Sequence, residues 1–180
     1  ALLAATPAIA QDLTGTLKKI KDSGSITIGH RETSIPFSYL DEKQQPIGYS
    51  MDICAAIVEE VKKELGLAQL AVKYNPVTPQ TRIPLMSNGT IDIECGSTTN
   101  TLTRQKQAEF SHITFVGGTR ILTKAKSGIK EIEDLKGKIV ARTDPLSGSG
   151  YLIPTAAFRA MGRPVDEYFK SPLAGGHPQA

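Results

Sequence analysis

The chain contains no tryptophan, and only five phenylalanines, five tyrosines and two cysteines are found among its 180 residues. So small an aromatic complement excludes the stacking platform on which single-stranded nucleic acid is held. The formal charge of +3 is small and evenly spread, which excludes a nucleic-acid surface. No apolar run approaches the roughly 20 residues needed to cross a bilayer. Cys54 and Cys95 are too far apart for a zinc or redox motif, and two thiols are too few for a structural metal site, so no metal and no cofactor are expected. In an oxidising compartment they are expected to form one disulfide, closing a loop of about 40 residues and contributing roughly 3–4 kcal/mol. Two separate buried thiols are the alternative. No repeat or low-complexity tract is present.

What remains is ordinary for a globular protein: 39% hydrophobic and 22% charged residues, in a length that permits one or two domains. The first ten residues are small and apolar, and Ala8-Ile9-Ala10 fits the small-x-small pattern ahead of a signal-peptidase cut. Residues 1–10 therefore read as the remnant of an export signal. An apolar terminus without that role is the alternative.

From Leu13 the pattern alternates. An amphipathic helix over 13–22 precedes a strand over 25–30; a short strand at 37–40 precedes a helix over 49–65 whose apolar stripe is Cys54, Ile57, Val58, Val61 and Leu65. A strand at 70–74, a helix over 79–87 and a strand at 91–94 follow. Strand alternating with helix predicts an α/β layer around a largely parallel sheet, where ligands sit at the carboxyl ends of strands.

Arg31, Arg82 and Arg104, with Ser97 and Thr99, all follow successive strands on that side. The Ser/Thr-rich turn 96–101 opens a weakly helical segment, so backbone N–H groups and an arginine lie together there. Three guanidinium groups on one edge predict a pocket for a ligand with two anionic groups. Read singly, each arginine is a solvated surface charge and the turn a capped helix start.

Residues 109–116 and 119–124 read as extended segments broken by Gly117-Gly118, a candidate crossing between two lobes. A helical turn at 131–137, a strand at 138–142 and a helix over 151–161 follow. Ser147, Gly148, Ser149 and Gly150, between strand and helix, form a possible second anion site or a plain connecting loop. The predicted organisation is lobe 1 at 11–116 and a partial, truncated lobe 2 at 117–180.

Several motifs then join into a resemblance: Gly29-His30-Arg31-Glu32, Pro36-Phe37-Ser38-Tyr39, Gly48-Tyr49-Ser50-Met51-Asp52, Arg82-Ile83-Pro84-Leu85, and Glu94-Cys95-Gly96-Ser97-Thr98-Thr99-Asn100 followed by Arg104-Gln105-Lys106. In this order, from about Leu17 to Ile139, they resemble the periplasmic solute-binding proteins of ABC importers, in the polar amino acid family and its glutamate/aspartate-binding branch. Ser50 stands where an acidic residue is usual and Pro79 where a serine is usual. The resemblance implies a type II-like fold of two α/β lobes closing over a free amino acid, the second lobe incomplete. It implies that Arg104, Ser97 and Thr99 hold the α-carboxylate, while Arg31 and Arg82 hold a side-chain carboxylate. An inner-membrane ABC permease is the implied partner, and a periplasmic monomer the implied state.

From about Thr143 the likeness changes. Asp144 to Pro154, with Gly175-Gly176-His177, resembles phosphate/phosphonate-binding relatives of the same fold, which makes a phosphonate or other oxyanion the alternative ligand. A truncated fusion without function is a further alternative. An enzyme on this fold, such as a dehydratase of prephenate-like substrates, needs an acid or base beside the anion site. His30, His112 and Glu32 are the candidates there, and the Ser–His–Asp and metal spacings are absent. The expectation is a binder, not an enzyme.

Overall fold

The computed structural model describes residues 13–170. The expected signal remnant at 1–10 and the motif Gly175-Gly176-His177 lie outside those residues.

Helix α1 (Gly15–Ser23) ends at Gly24, and β1 (Ser25–His30) follows at once. Three short strands, β2 (Thr33–Ser34), β3 (Ser38–Leu40) and β4 (Pro46–Ile47), form an antiparallel meander. Helix α2 (Tyr49–Glu64) starts at Gly48, whose φ of 121° few other residues adopt and whose absent Cβ would stand 2.7 Å from the Phe37 carbonyl oxygen. Then come β5 (Ala71–Pro76), α3 (Arg82–Ser87), β6 (Ile93–Cys95) and α4 (Leu102–Gln105).

The main sheet has the order β5-β1-β6 and is parallel throughout. His30 pairs with Pro76 on one side and Cys95 on the other, so the three strands end level. That edge positions everything that follows. At the opposite end, the Asp92 carboxylate accepts from the Thr27 N–H and from Lys19 Nζ, both at 2.8 Å, tying α1, β1 and the approach to β6.

The core beneath the sheet is Ile20, Ile26, Ile28, Met51, Cys54, Val58, Leu65 and Cys95. Burying each large aliphatic side chain contributes roughly 1.5–3 kcal/mol. Met51, Cys54, Val58 and Leu65 recur at spacings of three, four and seven; of the predicted stripe Cys54, Val58 and Leu65 are buried and Val61 packs against the core, but Ile57 faces solvent and Met51 takes the inward place instead.

Helix α3 starts three residues later than its apolar pattern suggests. The Thr78 N–H donates to Thr81 Oγ1 at 2.9 Å and the Thr81 N–H to Thr78 Oγ1 at 3.2 Å, a reciprocal cap that holds 78–81 as a turn. Arg82 therefore falls in the first helical turn.

Beyond α4 the sequence reading overstates the strands. Residues 109–124 form none, and Val116 and Leu122 stand in the open. At 138–142 the ladder shrinks to a single parallel bridge, Ile139 to Lys170. Alternating apolar residues give a segment strand propensity, but a ladder also needs a neighbour to pair with. A second apolar cluster, Leu135, Phe158, Val165 and Phe169, is built from a 3-10 turn (Glu133–Leu135), α5 (Ile153–Ala160) and α6 (Val165–Tyr168). A π-helical turn, Gly148–Leu152, leads into α5.

Cys54 of α2 and Cys95 of β6 are joined, with Cα atoms 6.3 Å apart. The expected disulfide is formed, and it clamps the main helix to the level strand ends. Reduction, or Cys54→Ser with Cys95→Ser, is expected to lower unfolding free energy by roughly 3–4 kcal/mol. Urea denaturation with and without reductant measures the difference, and unchanged midpoints would contradict the clamp.

Candidate functional site

Arg31 leaves β1 directly and is buried. Its N–H donates to Ser38 Oγ at 2.9 Å and its Nε to Ser34 Oγ at 3.3 Å, so the meander fixes its direction. Arg82, in the first turn of α3, is only 3% exposed. Arg104 lies in α4 and spends two donors on backbone: Nη1 on the Thr99 carbonyl at 2.9 Å and Nη2 on the Leu146 carbonyl at 2.6 Å. Ser97 and Thr99 occupy the partly buried turn before α4. The Arg104 N–H is capped by Thr101 Oγ1 at 3.3 Å, so the helix start keeps one donor fewer for an anion than the sequence suggests.

The Ser147–Gly150 turn arrives at the same place. Ser147 Oγ accepts from the Gly150 N–H at 3.3 Å, and a Cβ on Gly148 would stand 2.2 Å from Thr99 Oγ1. The two turns are therefore packed face to face, with Arg104 reaching from one to the carbonyl that precedes the other.

Sequence reasoning assigned no role to Glu94, the central residue of β6. The structure puts its carboxylate among the arginines. Burial raises its pKa above the usual carboxylate range, against the opposing pull of Arg82, the nearby Thr98 hydroxyl, Arg31 and Arg104. Burial likewise lowers Arg82 to about 10, with Arg104 and Arg31 adding to the shift while Glu94 and Asp144 oppose it. Arg31 and Arg104 are also lowered by burial, against the charge of Glu94. All three guanidinium groups stay charged at neutral pH.

Gly96 makes this proximity possible, since a Cβ there would stand 2.3 Å from Glu94 Oε1 and 2.9 Å from Arg31 Cγ. Yet no ion pair closes between Glu94 and any of the three arginines. Arg31 Nη1, Arg82 Nε, Glu94 Oε1 and Thr98 Oγ1 are buried with no hydrogen-bond partner. Each such atom costs about 1–3 kcal/mol, so the cluster stands to gain from an incoming polar group. The signal available in the sequence was a carboxylate flanked by Ile93 and Cys95 in a strand that faces an arginine-bearing helix.

A cavity of about 860 Å³ opens beside β6, lined by Ser50 and Ile53 of α2, Arg82 and Met86 of α3, Glu94 and Thr98. That volume is within the usual range for small-molecule sites. Among the five first-choice residues only Arg82 lines it; Arg31, Ser97, Thr99 and Arg104 do not. Ser50 Oγ donates to the Gly96 carbonyl at 2.7 Å, which fixes the turn after β6 against α2. Among the described residues no group of His, Cys, Asp and Glu side chains is arranged to hold a metal ion.

A model of the bacterial extracellular solute-binding proteins, family 3, matches residues 26–170. The chain belongs to that family. An L-glutamate/L-aspartate-binding protein of Pseudomonas aeruginosa is 55% identical over 163 residues, covering 90% of this chain and 54% of the relative. A glutamate/aspartate import solute-binding protein of Salmonella typhimurium is 59% identical over 128 residues, covering 71% and 42%. This family 3 chain thus spans about half the length of these curated relatives. Among solved structures, the ancestral amino acid-binding protein AncCDT-1, described as a precursor of cyclohexadienyl dehydratase, superposes with a TM-score of 0.68 at 25% identity, covering 88% of this chain and 64% of that one. An ancestral arginine-binding protein bound to glutamine gives 0.61 at 31% identity, covering 82% and 60%. The family match continues past Arg142 to Lys170, through the segment likened above to phosphonate binders, and that likeness finds no support in these comparisons.

Glu94 carries a pH signature. A carboxyl whose folded pKa is raised holds its proton more tightly in the folded state, so stability falls as pH rises through the raised value. Glu94→Gln removes the buried charge. It is expected to melt above the parent at neutral pH and to converge with it below the usual carboxylate range. Thermal melts across pH check this, and a neutral-pH melting point below the parent's would contradict it.

Proposed function

We propose that this chain is the extracytoplasmic solute-binding component of an ABC importer, taking glutamate or aspartate into its arginine-lined cleft. The observation that carries the reading is the pair of unspent, buried donors, Arg31 Nη1 and Arg82 Nε, gathered at one strand edge. They sit in a chain 55% identical to an L-glutamate/L-aspartate-binding protein. Guanidinium donors with no internal acceptor suit a side-chain carboxylate, since charge-assisted, two-pronged hydrogen bonds are the strongest such a group makes.

In this reading Arg31 and Arg82 hold the ligand's side-chain carboxylate, and Arg104 with Ser97 and Thr99 holds its α-carboxylate. Arg104 already has two of its five N–H donors on the Thr99 and Leu146 carbonyls, which leaves the others for that carboxylate. The first lobe runs to residue 116 and the second begins at 117, and the Ser147–Gly150 turn of the second meets Thr99 across the cleft. The protein works in the periplasm as a monomer and delivers its ligand to an inner-membrane permease. In this reading it carries out no catalysis, which fits the placing of two of the three acid–base candidates: buried His30 directs Nδ1 at the Arg31 carbonyl at 3.2 Å, and His112 is exposed.

Titration calorimetry with L-glutamate and L-aspartate tests the proposal, and no heat at millimolar ligand would sink it. Arg82→Ala is expected to weaken L-glutamate binding by roughly 10- to 100-fold, the worth of a hydrogen bond to a charged group. An exposed control, Lys63→Ala, should leave binding unchanged.

A further inference from the structure

The proposed function gives Asp144 no task, yet this second-lobe residue is carried onto the arginine side of the cleft. It is half-buried and follows the buried Thr143. One carboxylate oxygen accepts from Gln80 Nε2, in the turn that leads into Arg82. The other accepts from the Leu146 N–H at 2.8 Å, while the Leu146 carbonyl takes Arg104 Nη2 at 2.6 Å. Gly148, packed closely on Thr99, fixes the far end of the same turn. The carboxylate is thereby bracketed between the start of α3 and α4. Burial lowers the pKa of Arg31 and of Arg82, and after Glu94 the Asp144 charge opposes that fall at both. Among the described residues no ion pair joins Asp144 to an arginine. A negative charge placed there bears on one kind of ligand group. It cancels part of the positive potential of Arg31 and Arg82 where the reading above puts a side-chain carboxylate, and it repels that carboxylate directly. A side-chain amide, being neutral, is spared both effects.

We propose that Asp144 is a specificity-determining residue, a second-lobe carboxylate held beside the arginines by Gln80 and the Leu146 N–H, which weakens the hold on an anionic ligand side chain and spares a neutral one. The inference rests on the acidic amino acid reading above and sets how strongly that site prefers glutamate to glutamine. Asp144 is a counterweight and not a ligand group: it tempers the preference that Arg31 and Arg82 create without reversing it. Specificity is a difference of affinities, and a repulsive element shapes it as much as an attractive one.

Asp144→Asn isolates the charge, because asparagine keeps the shape and its Oδ1 still accepts from the Leu146 N–H. L-Glutamate and L-glutamine, titrated by calorimetry or in competition on the full chain at neutral pH, read the effect. The variant is expected to bind L-glutamate about three- to tenfold more tightly than the parent, the worth of one partly screened charge. Its affinity for L-glutamine should move by less than about twofold, since no charge on that side chain is repelled. Asp144→Ser also offers the Leu146 N–H an acceptor, so it should give the same shift and serves if the asparagine variant does not fold. Asp144→Glu, which keeps the charge, should stay near the parent's ratio. An unchanged or weaker hold on L-glutamate in the neutral variants would overturn the role of Asp144 and leave acidic-ligand binding standing. So would an equal shift for both ligands, which is what a merely loosened turn produces. If the parent does not bind L-glutamate, the proposed function falls and this inference with it.

Discussion

Charge that is taken out of water has to be answered inside the protein, and at the carboxyl edge of this sheet it is answered only in part. Three guanidinium groups and one carboxylate share a small volume. Desolvation dominates every one of them, raising Glu94 and lowering Arg31, Arg82 and Arg104, while their mutual attraction offsets some of the cost. Glu94, with Asp144 and Glu32, offsets part of the repulsion among the arginines, though for Glu94 its own desolvation outweighs that gain. The cluster is therefore a single electrostatic unit, and its incomplete pairing gives an external polar ligand something to complete.

Such an arrangement persists only on a backbone that cannot relax to close the gaps. The level ends of β1, β5 and β6 set where the side chains begin. The Cys54–Cys95 bridge and the Ser50 bond to the Gly96 carbonyl stop the turn after β6 from collapsing onto the arginines. Ser34 and Ser38 hold Arg31 from the other side. Strand geometry contributes as well. Ile93 and Cys95 point one way in β6, and Glu94 is thereby committed to the opposite face.

The parts of this site that could be read from the sequence are those that follow from local rules. Arg31, Arg82 and Arg104 were placed on one edge because parallel strands joined by helices end on one side, and electrostatically the structure groups them there. The disulfide was legible because two cysteines in a chain expected to be exported have few other fates. Glu94 was not legible, since its burial depends on Arg82 arriving from a helix whose start is set by a Thr78–Thr81 cap. The engagement of Arg104 by the Leu146 carbonyl links residues 42 apart, and no periodicity encodes it. The strands expected within 109–124 failed for the same reason: their alternation was real, but pairing is decided by a neighbour elsewhere in the chain.

The two kinds of arginine in the cluster are not equivalent as ligand groups. Arg104 enters any complex with two of its five N–H donors already on backbone carbonyls, so a ligand carboxylate that takes those two exchanges neutral acceptors for a charged one, and the net gain there is the difference between them. Arg31 Nη1 and Arg82 Nε have nothing to give up. A carboxylate that reaches them removes a standing desolvation cost as well as making a bond. In the proposed complex the ligand's side chain therefore contributes more than its α-carboxylate. The recognition of an acidic amino acid, as distinct from an amino acid in general, follows from that asymmetry.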